Sequence, residues 1–124
     1  VLAAQLNGNV MRFDPATASW QAVGGYSGIA KVEGGVGFDL AIGADLMYEQ
    51  RNAIALADLL PRILKPSGIF LLADPGRRWL PQFQLLMKQH GRPSRELAQI
   101  EETQMLSTGE CKSIVRIIEF RALR

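Results

Sequence analysis

Five consecutive apolar residues, Ile69-Phe70-Leu71-Leu72-Ala73, lie between Lys65-Pro66-Ser67-Gly68 and Asp74-Pro75-Gly76-Arg77. Proline and glycine end whatever precedes the run, and Asp-Pro-Gly turns the chain sharply after it. An apolar run of this length is the composition of a strand covered on both faces. It predicts the centre of a mostly parallel sheet. Upstream, Phe38-Asp39-Leu40-Ala41-Ile42-Gly43 reads as a second buried strand ending in glycine. Between the two, Ile54, Ala57, Leu60 and Leu64 recur at spacings of three and four. That spacing predicts a helix over 50–64 with those residues on one face, kinked or tightened at Pro61. Leu80, Phe83, Leu86 and Met87 predict a second helix over 79–90, closed by Gly91 and Pro93. Residues 96–104 and 113–122 alternate as an antiparallel pair with Ser107-Thr108-Gly109 at the tip. In the second of these, Ile114, Arg116, Ile118 and Phe120 share a face.

The front of the chain is less regular. Residues 2–7 read as the last turns of a helix stopped at Gly8, and residues 9–13 as a short strand. Residues 14–37 form a polar, glycine-rich connector broken by Trp20, Ala22, Val23 and Tyr26. It exceeds the usual loop length. Alternating strands and helices imply an open α/β sheet with right-handed crossovers.

With 124 residues, 48% of them apolar, the chain affords one compact domain. Charged residues at 21% and a mean hydropathy of +0.05 argue against disorder. Fourteen basic and twelve acidic residues nearly balance, so neither nucleic acid nor a membrane surface is an expected partner. No apolar run approaches the ~20 residues of a membrane span. The lone cysteine, Cys111, allows no internal disulfide, and a reducing cytoplasm is the expected location. With one histidine and one cysteine, no zinc site of the usual type is expected.

In open α/β sheets, ligands bind beyond the carboxyl ends of the strands. Two loops qualify: Gly43-Ala44-Asp45-Leu46-Met47-Tyr48-Glu49 and Asp74-Pro75-Gly76-Arg77-Arg78. Gly43 and Ala44 are small enough to let a planar ligand approach the backbone. Asp45 and Tyr48, three apart, can project to one side of a turn. A carboxylate there can orient an amine, and a phenol can help align it. Positioning supplies much of the rate in amine methylation. The alternative is a helix-capping Asp45 and a packing Tyr48. Arg77 and Arg78 read as a solvated turn that could hold an acidic group. Trp20 offers a flat face for an adenine, or anchors the connector. Gly34-Gly35-Val36-Gly37 precedes a strand, and Gly24-Gly25-Tyr26-Ser27-Gly28 opens no helix, so neither has the context of a phosphate-binding loop.

The segment Phe38-Asp39-Leu40-Ala41-Ile42-Gly43-Ala44-Asp45-Leu46-Met47-Tyr48-Glu49 resembles the fourth-strand motif of class I S-adenosylmethionine-dependent methyltransferases. It is similar, more narrowly, to the seven-strand group of protein lysine and nicotinamide-N-methyltransferase-like enzymes. Leu59-Leu60-Pro61-Arg62-Ile63-Leu64-Lys65-Pro66-Ser67-Gly68 and the apolar run after it resemble that superfamily's helix and fifth strand. Asp74-Pro75-Gly76-Arg77 resembles a motif of the branch containing the electron-transfer-flavoprotein lysine methyltransferase.

The resemblance covers residues 38–122 well and 1–37 loosely. It implies a partial Rossmann-like sheet, mostly parallel with a C-terminal antiparallel pair, forming the C-terminal portion (1–124) of a single domain. It implies Asp45 and Tyr48 as the catalytic D-x-x-Y pair, with Gly43, Ala44 and Trp20 beside the cofactor S-adenosylmethionine. Ser19 stands before Trp20 where the family commonly has Asp.

The family's glycine-rich turn after its first strand has no counterpart in these residues. Three expectations follow. The parent protein methylates an amine, a protein lysine or a small molecule. These 124 residues alone bind S-adenosylmethionine weakly or not at all. A bare sheet edge invites a homo-oligomer. The competing readings are a non-catalytic binding or assembly module on the same fold, and a dehydrogenase-like fragment. The terminal antiparallel pair and the D-x-x-Y loop count against the latter.

Overall fold

The computed structural model describes residues 2–4, 9–14, 16–25 and 37–123. They form strands β1 (Leu2–Ala4), β2 (Asn9–Asp14), β3 (Ser19–Gly25) and β4 (Phe38–Ala44), helix α1 (Gln50–Ile63), strand β5 (Leu64–Asp74), helix α2 (Leu80–Gln89), and strands β6 (Ser94–Leu106) and β7 (Gly109–Arg121). One seven-stranded sheet has the order β3-β2-β1-β4-β5-β7-β6. Parallel pairing is confined to its centre, where β1, β4 and β5 lie side by side. The expected C-terminal antiparallel pair, β6 with β7, continues from β5. A second antiparallel pair, β2 with β3, lies on the other side.

Two readings of the front half are corrected. Leu2–Ala4 is a strand, not the end of a helix, and Ala41, Ile42 and Gly43 are its partners on β4. Leucine and alanine are good helix formers, but intrinsic propensity is worth little per residue, and a strand edge with unpaired peptide groups outweighs it. The β4 edge carries β1, and the described sheet ends at β3 and β6. Within the stretch read as a connector, Ser19–Gly25 is a strand that pairs with β2 as a hairpin. Gly8, Tyr26 and Gly34-Gly35-Val36 lie outside the described residues.

The core sits on one face of the sheet. Phe70 and Leu72 of β5 pair with Phe120 and Ile118 of β7 and are buried with Ala41. Phe83 meets Phe120 edge-on with ring centroids 5.0 Å apart, and both rings contact Phe70. From α1, Ala53, Leu56, Ala57, Leu60 and Ile63 close over this layer, and Leu80, Phe83 and Met87 join them from α2. Ile54, assigned by spacing to the buried face, is half-exposed. Its place is taken by Ala53 and Leu56, and Asn52 beside them donates to the Leu46 carbonyl.

Among the described residues, the apolar run of β5 is fully buried on one face only. Ile69, Leu71 and Ala73 alternate with the buried residues and, like Leu40, Ile42 and Ile117, are only partly covered. Both described helices belong to the opposite layer.

The junction of α1 and β5 is a wide bulge. Phe38 pairs with Leu64 but Leu40 with Ile69, so residues 65–68 loop out of register. Arg92, 5% exposed, spans the bulge by donating to the Gly68 and Lys65 carbonyls at 2.7 and 2.9 Å. Its burial lowers its pKa from the ordinary arginine value. A Cβ on Gly68 would stand 2.7 Å from the Phe38 carbonyl oxygen and 3.0 Å from that of Lys65. Both obstacles are backbone, so Gly68→Ala is expected to cost about 1–3 kcal/mol. A urea midpoint equal to the parent's would contradict this. The end of α2 follows the expected glycine stop: Gly91 has φ +77°, its N–H donates to Lys88, and Arg92 N–H donates to Met87.

Candidate active site

The carboxyl ends of the parallel strands β4 and β5 lie together, and the loops leaving them touch. Asp45 N–H donates to the Ala73 carbonyl at 2.8 Å, and Trp79 N–H to the Met47 carbonyl at 3.3 Å. Leu46 and Met47 are fully buried, which turns the side chains of Asp45 and Tyr48 toward solvent, each a little over a third exposed. Asp45 has φ +52°, a left-handed conformation that aspartate tolerates better than most residues. Asp45 and Tyr48 thus both lie in the loop that leaves the carboxyl end of β4.

The structure adds a partner absent from the sequence reading. Arg77 grips Asp45 in a two-pronged bond, Nε to Oδ1 at 2.5 Å and Nη2 to Oδ2 at 2.8 Å. This fork raises the Arg77 pKa further above neutrality, through the hydrogen bond first and the Asp45 charge second. Arg77, read as a solvated turn residue, therefore belongs to the Asp45 site. A separation of 32 residues hides the pairing from any local pattern.

Asp74 holds the turn that carries Arg77: its Oδ1 accepts from Gly76 N–H at 2.7 Å and Arg77 N–H at 2.9 Å. It is fully buried, and its Oδ2 has no hydrogen-bond partner. Arg78 instead stacks over the Trp79 ring, 4.9 Å from its centroid.

The residues assigned to the cofactor are not gathered here. A Cβ on Gly43 would lie 2.5 Å from Leu46 Cδ1 and 3.2 Å from Phe70 Cζ. The space beside Gly43 is filled by the protein's own core, so its smallness serves packing on that side. Ala44 is exposed at the strand end. Trp20 sits on β3, three strand spacings from β4, about 14 Å across the sheet. Its level is that of the amino-terminal half of β4, since Phe13 pairs with Trp20 and Arg12 with Leu2, which faces Ala41. Its ring lies 5.2 Å from Phe13 and is 45% exposed, the environment of a hairpin cross-strand pair. Among the described residues no group of three His, Cys, Asp or Glu could hold a metal, and no helix is long and apolar enough to cross a membrane.

Solved structures share this fold. The YcgJ protein from Bacillus subtilis matches with a TM-score of 0.62 at 8% identity, over 82% of this chain and 70% of that one. Precorrin-6y C5,15-methyltransferase from Geobacter metallireducens matches with a TM-score of 0.53 at 16% identity, over 71% of this chain and 46% of that one. PH1948 from Pyrococcus horikoshii, provisionally assigned as an RNA methyltransferase, matches with a TM-score of 0.56 at 13% identity, over 82% of this chain and 49% of that one.

The fold is the Rossmann-like α/β fold that these structures share.

The chain spans about half the length of two of these three structures. No protein-family model and no curated protein matches the sequence.

Proposed function

We propose that the chain forms the substrate side of an S-adenosylmethionine-dependent N-methyltransferase, with Asp45 orienting the acceptor amine. The observation that carries this reading is the placement of Asp45 at the meeting point of β4 and β5, held by the Ala73 carbonyl and turned out of the core. That is where an α/β sheet of this kind binds its ligands. A carboxylate fixed there accepts a hydrogen bond from an amine and holds its lone pair in one direction. Orientation of that kind is a large part of the barrier reduction in a two-reactant step. Tyr48, on the same loop, adds a phenol that aligns the amine. The acceptor is a protein lysine or a small amine.

Because these residues hold no counterpart of the family's glycine-rich turn, this chain by itself is expected to bind S-adenosylmethionine weakly or not at all. Calorimetry on the 124-residue chain checks this, and a micromolar dissociation constant would overturn it. The reading as a whole is tested in the full-length native protein, by mass spectrometry of lysine peptides incubated with S-adenosylmethionine. Methyl transfer to the ε-amine is the expected result. Failure to methylate any amine would favour the second reading, a binding module that keeps the fold without the reaction. One observation supports that alternative: Leu46 fills the space beside Gly43.

A further inference from the structure

The state of Asp45 sets a requirement on what can bind it. Both of its carboxylate oxygens are engaged by the Arg77 fork. A ligand that brings only an amine either adds to a carboxylate whose charge Arg77 already offsets, or displaces Arg77 and leaves its guanidinium without an anion. The displacement is unfavourable, since charge-assisted bonds are stronger than neutral ones. A ligand bringing an amine and an acidic group together breaks one ion pair and forms two.

The two backbones are anchored independently. Asp45 is held by its N–H bond to Ala73 and its left-handed φ, and Arg77 by Asp74 Oδ1 accepting from its N–H. The pair therefore opens by side-chain rotation alone. Arg77 is the member that moves, because its side chain is 46% exposed and long enough to swing toward solvent while its backbone stays fixed. We infer that the site selects an amine accompanied by an acidic group, the ammonium or amine going to Asp45 and the carboxylate to Arg77. In a protein substrate this is a lysine with an adjacent acidic residue. The inference rests on the reading of Asp45 as the amine-orienting residue.

The experiment is an amide NMR titration of the 124-residue chain with three blocked dipeptides: acetyl-Lys-Glu-amide, acetyl-Lys-Gln-amide and acetyl-(Nε-acetyl)Lys-Glu-amide. The Lys-Glu probe is expected to shift the Asp45 and Arg77 amides and to bind about three- to fivefold more tightly than Lys-Gln, the range of one partly exposed ion pair. The acetylated probe is expected not to shift Asp45. In Arg77→Gln, whose fold is checked by the unchanged remainder of the spectrum, the preference for Glu over Gln is expected to vanish while amine dependence persists. Equal binding of Lys-Glu and Lys-Gln to the parent chain overturns the inference but leaves the amine reading standing. Equal binding of the free and acetylated lysines, or no shift at Asp45 with any probe, overturns both.

Discussion

Phe70→Ala is expected to destabilise the domain by about 3–5 kcal/mol. Phe70 is fully buried and its ring contacts both Phe83 and Phe120, so truncation opens a cavity at the one place where β5, β7 and α2 meet. The surrounding aromatics are held on separate elements and cannot all collapse into the space. A domain of this size has only about 5–15 kcal/mol in total. The variant should therefore show a large fall in urea midpoint with an unchanged slope. Leu71→Ala provides the control. Leu71 is the next residue on the same strand but points to the partly covered face, so its truncation should cost markedly less. Equal losses from the two variants would mean that the second face is covered as well as the first, and the one-sided core described above would be wrong.

Asp45→Asn should lower methyl transfer by the full-length native protein roughly a hundredfold, the scale on which a misplaced reactant is penalised. Asparagine keeps the size of the side chain and tolerates the left-handed φ that the position requires. What it loses is the charge that holds Arg77 and that, in the function proposed above, receives the amine. Binding of S-adenosylmethionine should be nearly unaffected, because the role proposed for Asp45 is toward the acceptor amine, although the expected cofactor residues Gly43 and Ala44 directly precede it. A variant with parent-like turnover would remove Asp45 from the mechanism. A variant that loses cofactor affinity in proportion to turnover would move its role from substrate to cofactor.

The strand ends, both helices and the terminal hairpin were legible because each is written in local periodicity. Phe70, Leu72 and the Asp74-Pro75-Gly76 turn define β5 by composition, and Leu80, Phe83 and Met87 define α2 by spacing. The loop carrying Asp45 and Tyr48 was legible for the same reason, as it follows a strand and precedes a helix. Ile54 shows the limit of periodicity. A stripe drawn through Ile54, Ala57 and Leu60 and one through Ala53, Leu56 and Leu60 differ by a small rotation, and only the packing of the helix chooses.

The sequence by itself determined an α/β domain with two candidate loops at the strand ends, because apolar patterning and turn chemistry act over a few residues. Tertiary structure alone decided three things. It turned Leu2–Ala4 into a strand, since only the neighbouring β4 edge could overrule a helix-favouring composition. It placed Trp20 on the far side of the sheet, since strand order follows from pairing rather than from distance along the chain. And it joined Arg77 to Asp45 across 32 residues, a contact that exists only because β4 and β5 lie parallel and end at the same level.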